Sequence, residues 1–170
     1  YPDSMKYRYD NVITLRTFSK CYGLAGIRIG YGFAHEELIA NLMKVKLPFE
    51  PSTLAQAAAI GALNDEEFLA ETLAMNENGL GYLQFALKQL GVKVIPSVAN
   101  FLLLEFELIS VANTIFENLL SRGVIVRPMV GFGLPHCIRV STGTMEENII
   151  FVETLEEILK KELIEVARHI

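Results

Sequence analysis

Apolar positions recur in two different rhythms along this chain. Val12-Ile13-Thr14-Leu15 is a β-branched apolar run and reads as a buried strand ending near Thr17; Ile27–Phe33 is a second strand candidate. Residues 18–26 between them are too polar and glycine-containing for a core element. Leu38, Ile39, Leu42 and Met43 then repeat at helical spacing within residues 35–45, until Pro48 and Pro51 interrupt the pattern. A second apolar helix is expected over residues 52–63. Residues 65–90 read as one long helix with Leu69, Leu73, Leu80, Leu83, Leu87 and Leu90 in its apolar stripe. Asn64 is its expected cap, three acidic residues suit its N-terminal end and Gly91 its exit. Gly79 and Gly81 each weaken a helix by roughly 1 kcal/mol relative to Ala, so a bend is expected there.

Beyond Gly91 the rhythm shortens. Val92–Ile95 and Phe101–Phe106 read as strands around Pro96, followed by an amphipathic helix over residues 111–120 that Gly123 ends. Val124–Arg127 and Ile138–Ser141 are further strands, and Thr144-Met145-Glu146-Glu147 is a capping-box start to a helix reaching about Glu162. Strand-strand-helix-strand-strand-helix makes an α+β unit. A boundary is therefore expected inside the long helix, with residues 1–75 belonging to an α/β domain and 76–170 forming a small α+β domain.

Composition narrows the function. Half of the 170 residues are hydrophobic, enough for a real core, yet no run of 18 apolar residues suggests a membrane span. The first residues lack the basic and apolar stretches of a secretory signal, and the chain does not begin with Met, so a start inside a larger chain is expected. The net charge of −5 argues against nucleic acid as a partner. Cys21 and Cys137 have no metal-type spacing, so two reduced thiols in a cytoplasmic protein are expected, with no metal site.

Candidate chemistry concentrates in Thr17-Phe18-Ser19-Lys20 and Gly23-Leu24-Ala25-Gly26-Ile27-Arg28. A lysine holding an aldehyde cofactor needs a rigid place at a strand end, hydroxyl donors for a phosphate and a fixed positive charge nearby. Thr17 and Ser19 supply hydroxyls, and Arg28 a planar, permanently charged fork. By itself, a lysine beside a polar turn is usually a solvated surface residue. The glycines match neither a dinucleotide fingerprint nor a Walker A loop.

The run Arg16–Lys20 followed by Tyr22–Tyr31 closely resembles the lysine signature of class I and II aminotransferases, above all their histidinol-phosphate branch. The resemblance implies the C-terminal part of the aspartate-aminotransferase-like fold of pyridoxal-phosphate-dependent transferases: the end of the large α/β domain plus the small domain. It further implies that Lys20 binds pyridoxal 5'-phosphate covalently and moves the proton in transamination, while Thr17, Ser19 and Arg28 hold the cofactor phosphate. A second stretch, Gly123–Pro128, Gly131–Pro135 and Ile138–Thr144, is similar to the small-domain end of the same branch. By that resemblance Arg139 holds the anionic group of the substrate, Arg127 helps grip the phosphate of histidinol phosphate, and Leu47–Pro51 is a loop approaching a neighbouring subunit. Asn100 falls where the family has a similar tripeptide near the active site, although a turn asparagine is the simpler account.

The resemblance implies a homodimer of the full-length protein, acting on a small-molecule amino donor and a keto-acid acceptor. The reaction implied is transamination between histidinol phosphate and 2-oxoglutarate, giving imidazole-acetol phosphate and glutamate. The family's acidic partner of the pyridine nitrogen would lie upstream of Tyr1, so the 170 residues alone are expected to be inactive. Aromatic-amino-acid aminotransferases and threonine-phosphate decarboxylases share the lysine signature and remain alternatives. A non-catalytic binding module that kept the fold is a third.

Overall fold

Cap chemistry sets most helix boundaries. In the computed structural model, which describes residues 3–7 and 9–167, helix α1 (Glu36–Val45) begins where His35 Nδ1 accepts from the Glu37 N–H at 3.4 Å. Helix α2 (Thr53–Leu63) begins where Ser52 Oγ accepts from the Ala55 N–H at 3.2 Å. Helix α3 (Glu66–Gln89) is capped by Asp65, whose Oδ1 accepts from the Phe68 N–H at 3.0 Å. Asn64, the expected cap, instead closes α2 through its backbone N–H. Asp65 wins because its carboxylate lies one position nearer the orphan amides and also suits the positive helix end.

The chain divides into two compact units, Tyr1–Thr72 and Leu73–Ile170. In the first, strands β1 (Thr14–Thr17) and β2 (Gly30–Phe33) form an antiparallel ribbon with Thr17 opposite Gly30. Position 30 must be glycine, because a Cβ there would lie 2.6 Å from the Arg16 carbonyl oxygen. The second strand is shorter than expected, since Ala25–Ile27 forms a 3-10 turn before it. Within these 170 residues the ribbon has two strands and Leu15 is 73% exposed, its apolar side chain left without a covering layer among the described residues. The polar turn between the strands has its own small core instead. Phe18 is buried there, with ring centroids 5.0 Å from Tyr22 and 5.4 Å from Tyr31.

The second unit carries a four-stranded antiparallel sheet in the order β3 (Lys93–Ile95), β4 (Phe101–Glu105), β6 (Cys137–Ser141), β5 (Arg127–Pro128). Helices α4 (Ile109–Ser121) and α5 (Met145–Ala167) complete the unit. Side chains alternate across a strand, so Leu102 and Leu104 of β4 and Ile138 and Val140 of β6 share one face. They are buried there with Leu83 and Leu87 of α3, Ile115 and Leu119 of α4, and Phe151, Leu155 and Ile158 of α5. The same alternation leaves Phe101 and Arg139 on the opposite face. Residues 124–126 do not join the sheet as expected; β5 is only two residues long and ends at Pro128, which has no N–H for a ladder. Gly91 and Gly123 leave α3 and α4 in the left-handed conformation, as their sequence positions suggested. Thr144 and Glu147 form the expected capping box, with the Thr144 N–H donating to Glu147 Oε2 at 2.8 Å and the Glu147 N–H to Thr144 Oγ1 at 3.3 Å.

Candidate active site

Two groups of polar residues stand out, one in each unit. In the first unit the 18–26 turn returns on itself: the Gly23 N–H donates to the Lys20 carbonyl at 2.9 Å and the Leu24 N–H to the Phe18 carbonyl at 2.9 Å. Gly23 has φ +67°, a conformation open to glycine without strain. The turn leaves Lys20 exposed immediately after the β1 end. Thr17 Oγ1 donates to Ser19 Oγ at 2.9 Å and accepts from the Ser19 N–H at 3.1 Å, which clusters hydroxyl groups at the strand terminus.

Arg28 reaches the same place from the other side. Thr17, Ser19 and Arg28 line one open groove together with Arg16 and Tyr31. Arg28 adopts φ +57° and ψ 54°, left-handed geometry that L side chains rarely take. Such a backbone costs about 1–3 kcal/mol and persists where surrounding structure imposes it. The guanidinium is steadied by Nη1 donating to the Ala25 carbonyl at 2.8 Å. Neighbouring Arg16 is engaged differently, its Nη2 donating to Ser4 Oγ at 2.6 Å. Two hydroxyls and an arginine fork around one groove are a polar set suited to a phosphate, with a lysine amine adjacent in sequence.

In the second unit Arg127 of β5 stands directly opposite Arg139 of β6. Both line a second groove with Thr142, Gly143, Glu147 and Asn148. Each guanidinium lies over an aromatic ring, Arg127 5.2 Å from the Phe132 centroid and Arg139 5.0 Å from the Phe101 centroid. Among the described residues neither arginine takes part in an ion pair. Arg139 Nε is buried without a hydrogen-bond partner there. Two arginines outside any ion pair and an orphaned donor, in a groove that Glu147 also lines, are a donor set suited to an anion.

Asn100 enters this second group through its backbone. Its carbonyl accepts from the Thr142 N–H at 3.0 Å and from Thr142 Oγ1 at 3.3 Å, while its own side chain is exposed. Sequence reasoning missed Asn76, Thr142 and Asn148, which brace the groove: Thr142 Oγ1 donates to Asn76 Oδ1 at 2.7 Å, and Asn148 is a buried polar residue. The available signal was an asparagine one turn inside a capped helix, where a small amide can reach back to its own N-terminal loop.

The family model for aminotransferase class I and II matches residues 6–155. The chain belongs to the class I and II aminotransferases. This aminotransferase chain is 45% identical over 163 residues to histidinol-phosphate aminotransferase 1 of Nitrosococcus oceani, covering 95% of the chain and 44% of that relative. Its fold matches histidinol-phosphate aminotransferase from Sinorhizobium meliloti, solved in complex with pyridoxal-5'-phosphate, with a TM-score of 0.78 and 33% identity over 89% of this chain and 42% of that one. L-threonine-O-3-phosphate decarboxylase from Porphyromonas gingivalis matches with a TM-score of 0.76 and 25% identity, covering 89% of this chain and 47% of that one. The aminotransferase chain thus spans less than half the length of these relatives. The expected α/β transferase fold is borne out by these likenesses. No described helix is long and apolar enough to cross a membrane.

Proposed function

We propose that the whole protein to which this chain belongs is a pyridoxal-phosphate-dependent histidinol-phosphate aminotransferase, exchanging an amine between histidinol phosphate and 2-oxoglutarate to give imidazole-acetol phosphate and glutamate. Within it, residues 1–75 belong to the large cofactor-binding domain and 76–170 form the small domain. The observation that carries the substrate reading is the cross-strand pair Arg127 and Arg139, whose positive charges have no acidic partner among the described residues. A phosphate-bearing amine neutralises such a pair; a neutral aromatic side chain does not. The names of the similar proteins point the same way.

The cofactor reading is supported by the groove that Thr17, Ser19 and Arg28 line, whose donors fit a phosphate. When bound, pyridoxal phosphate supplies an aldehyde that captures amines and a ring that accepts the electron pair of the broken C–H bond. The hydroxyls of Thr17 and Ser19 and the guanidinium of Arg28 hold its phosphate. Lys20 Nζ would be its covalent anchor and, when free, the base and then the acid that moves the substrate proton. Arg139, helped by Arg127, orients the substrate through its anionic group, and Asn100 contributes at the rim. The active unit is a cytoplasmic homodimer.

An absorbance spectrum of the full-length protein with pyridoxal phosphate tests this reading, wild type beside Lys20→Ala, before and after histidinol phosphate. A visible band that requires Lys20 and bleaches with histidinol phosphate is expected. A lysine-dependent band that ignores this substrate removes the substrate assignment, and no lysine-dependent band removes the cofactor assignment. The likeness to a threonine-phosphate decarboxylase supports a second reading, since that substrate is also a phosphorylated amine. Release of carbon dioxide from threonine phosphate, without amine transfer, would favour it.

A further inference from the structure

We propose that Asn148 is a positioning residue for the anion site, acting on Arg139 through the turn that leaves its strand. The inference rests on the reading of Arg139 as a substrate-binding arginine.

Asn148 is only 3% exposed, and its amide bonds to the turn rather than to either arginine. Both of its polar ends are engaged with one residue instead. The Gly143 N–H donates to Asn148 Oδ1 at 3.0 Å, and Asn148 Nδ2 donates to the Gly143 carbonyl at 3.1 Å. This two-point clamp fixes the backbone two residues beyond the last residue of β6. Thr142, between them, is held from the other direction by Asn76 Oδ1 and by the Asn100 carbonyl. Thr142, Gly143 and Asn148 line the same groove as Arg127 and Arg139, so the clamp sets one wall of the site.

Gly79 leaves room for the arrangement. A Cβ at position 79 would lie 3.0 Å from Asn148 Nδ2 and 3.4 Å from Thr142 Cβ, so a side chain there would have to push the clamp aside by a few tenths of an ångström. The helix accepts the propensity penalty of this glycine at a place where it gains a close approach, whereas a Cβ at Gly81 would meet nothing. A purely apolar filling would leave the Gly143 N–H and carbonyl unpaired beside the site. Rigid support of this kind matters because binding groups must stay within a fraction of an ångström of their productive geometry.

The test measures inorganic phosphate binding to the cofactor-loaded full-length protein by calorimetry, together with kcat and KM for histidinol phosphate. Wild type is compared with Arg139→Ala, Asn148→Ala and Thr142→Val. Misplacement of a binding group by about 1 Å weakens its function up to roughly a hundredfold, so Asn148→Ala is expected to weaken phosphate binding and raise KM by about tenfold, with kcat within about threefold of wild type. A merely structural role would lower thermal stability and leave phosphate affinity alone in the folded fraction. Wild-type affinity in folded Asn148→Ala, with binding lost in Arg139→Ala, overturns the positioning role. If Asn148→Ala does not fold, Thr142→Val carries the same test, with about threefold weaker binding expected and wild-type affinity overturning the proposal. Unchanged binding in Arg139→Ala overturns the reading of Arg139 itself, and the inference with it.

Discussion

Arg127 and Arg139 face each other directly across β5 and β6, two cations in cross-strand register with no carboxylate bridging them among the described residues. Like charges directly opposite on neighbouring strands destabilise a sheet by about 0.2–1 kcal/mol, so this placement favours a ligand at the expense of stability. Arg127→Leu is expected to leave the thermal midpoint unchanged or slightly raised, while raising KM for a phosphorylated amine. A lower midpoint with an unchanged KM would make Arg127 structural. On the proposed reading Arg139, with its orphaned Nε, contributes more than Arg127, and Arg139→Ala is expected to raise KM by about a hundredfold. Steady-state kinetics on the full-length enzyme checks both.

Lys20→Ala removes the only group proposed to move the proton. The expected loss in the full-length enzyme is at least about a thousandfold in kcat, with the fold retained because Lys20 is exposed. Circular dichroism beside a turnover assay distinguishes lost chemistry from lost structure.

The left-handed backbone of Arg28 sets up an opposed pair of effects. Glycine adopts that conformation freely, so Arg28→Gly is expected to retain or raise thermal stability without cofactor, by up to about 1 kcal/mol. It should also weaken pyridoxal phosphate binding, through loss of the guanidinium. Differential scanning calorimetry with and without the cofactor reads both. A variant that loses stability in both states would refute the strain argument.

Leu155 is fully buried in the core of the second unit. Leu155→Ala is expected to cost about 2–5 kcal/mol, from lost transfer energy and the cavity left behind. Denaturant unfolding of the full-length protein measures it, and a value under 1 kcal/mol would mean that the core collapses around the gap.

At the far edge of the sheet, Glu105 receives a hydrogen bond from Lys93 Nζ at 2.8 Å, and His136 Nε2 lies 3.9 Å away. The Lys93 hydrogen bond holds the Glu105 carboxyl below its ordinary range. A carboxylate whose folded value is depressed contributes stability above its unfolded value and loses it as pH falls through the folded one. Glu105→Gln should therefore flatten stability against pH across and below the ordinary glutamate range and leave neutral behaviour almost unchanged. An identical acid limb in wild type and variant would sink this. The effect should be small, because the pair is solvent-exposed.

Several local features were readable from sequence. Ser52, the Thr144–Glu147 box, Gly91 and Gly123 act within a few residues of themselves, so the helix ends they control follow from local chemistry. The run Arg16–Lys20 with Tyr22–Tyr31 was enough to mark the family, and it was that resemblance which nominated Thr17, Ser19, Lys20 and Arg28 as a phosphate cradle. Burial was not readable in this way. Leu15 carries a core-like pattern and is exposed, whereas Phe18, in a polar turn, is buried, because each outcome depends on which layers cover it. Asn64 was the expected cap of α3, and the path of the chain gave that place to Asp65 instead. Only tertiary structure decided that Arg127 meets Arg139, that Arg28 is left-handed, and that Gly79 clears a path for α3 to the Asn148 clamp. Such relationships join residues whose separation along the chain carries no periodic signal. They are set by packing and strand register, which the whole fold determines together.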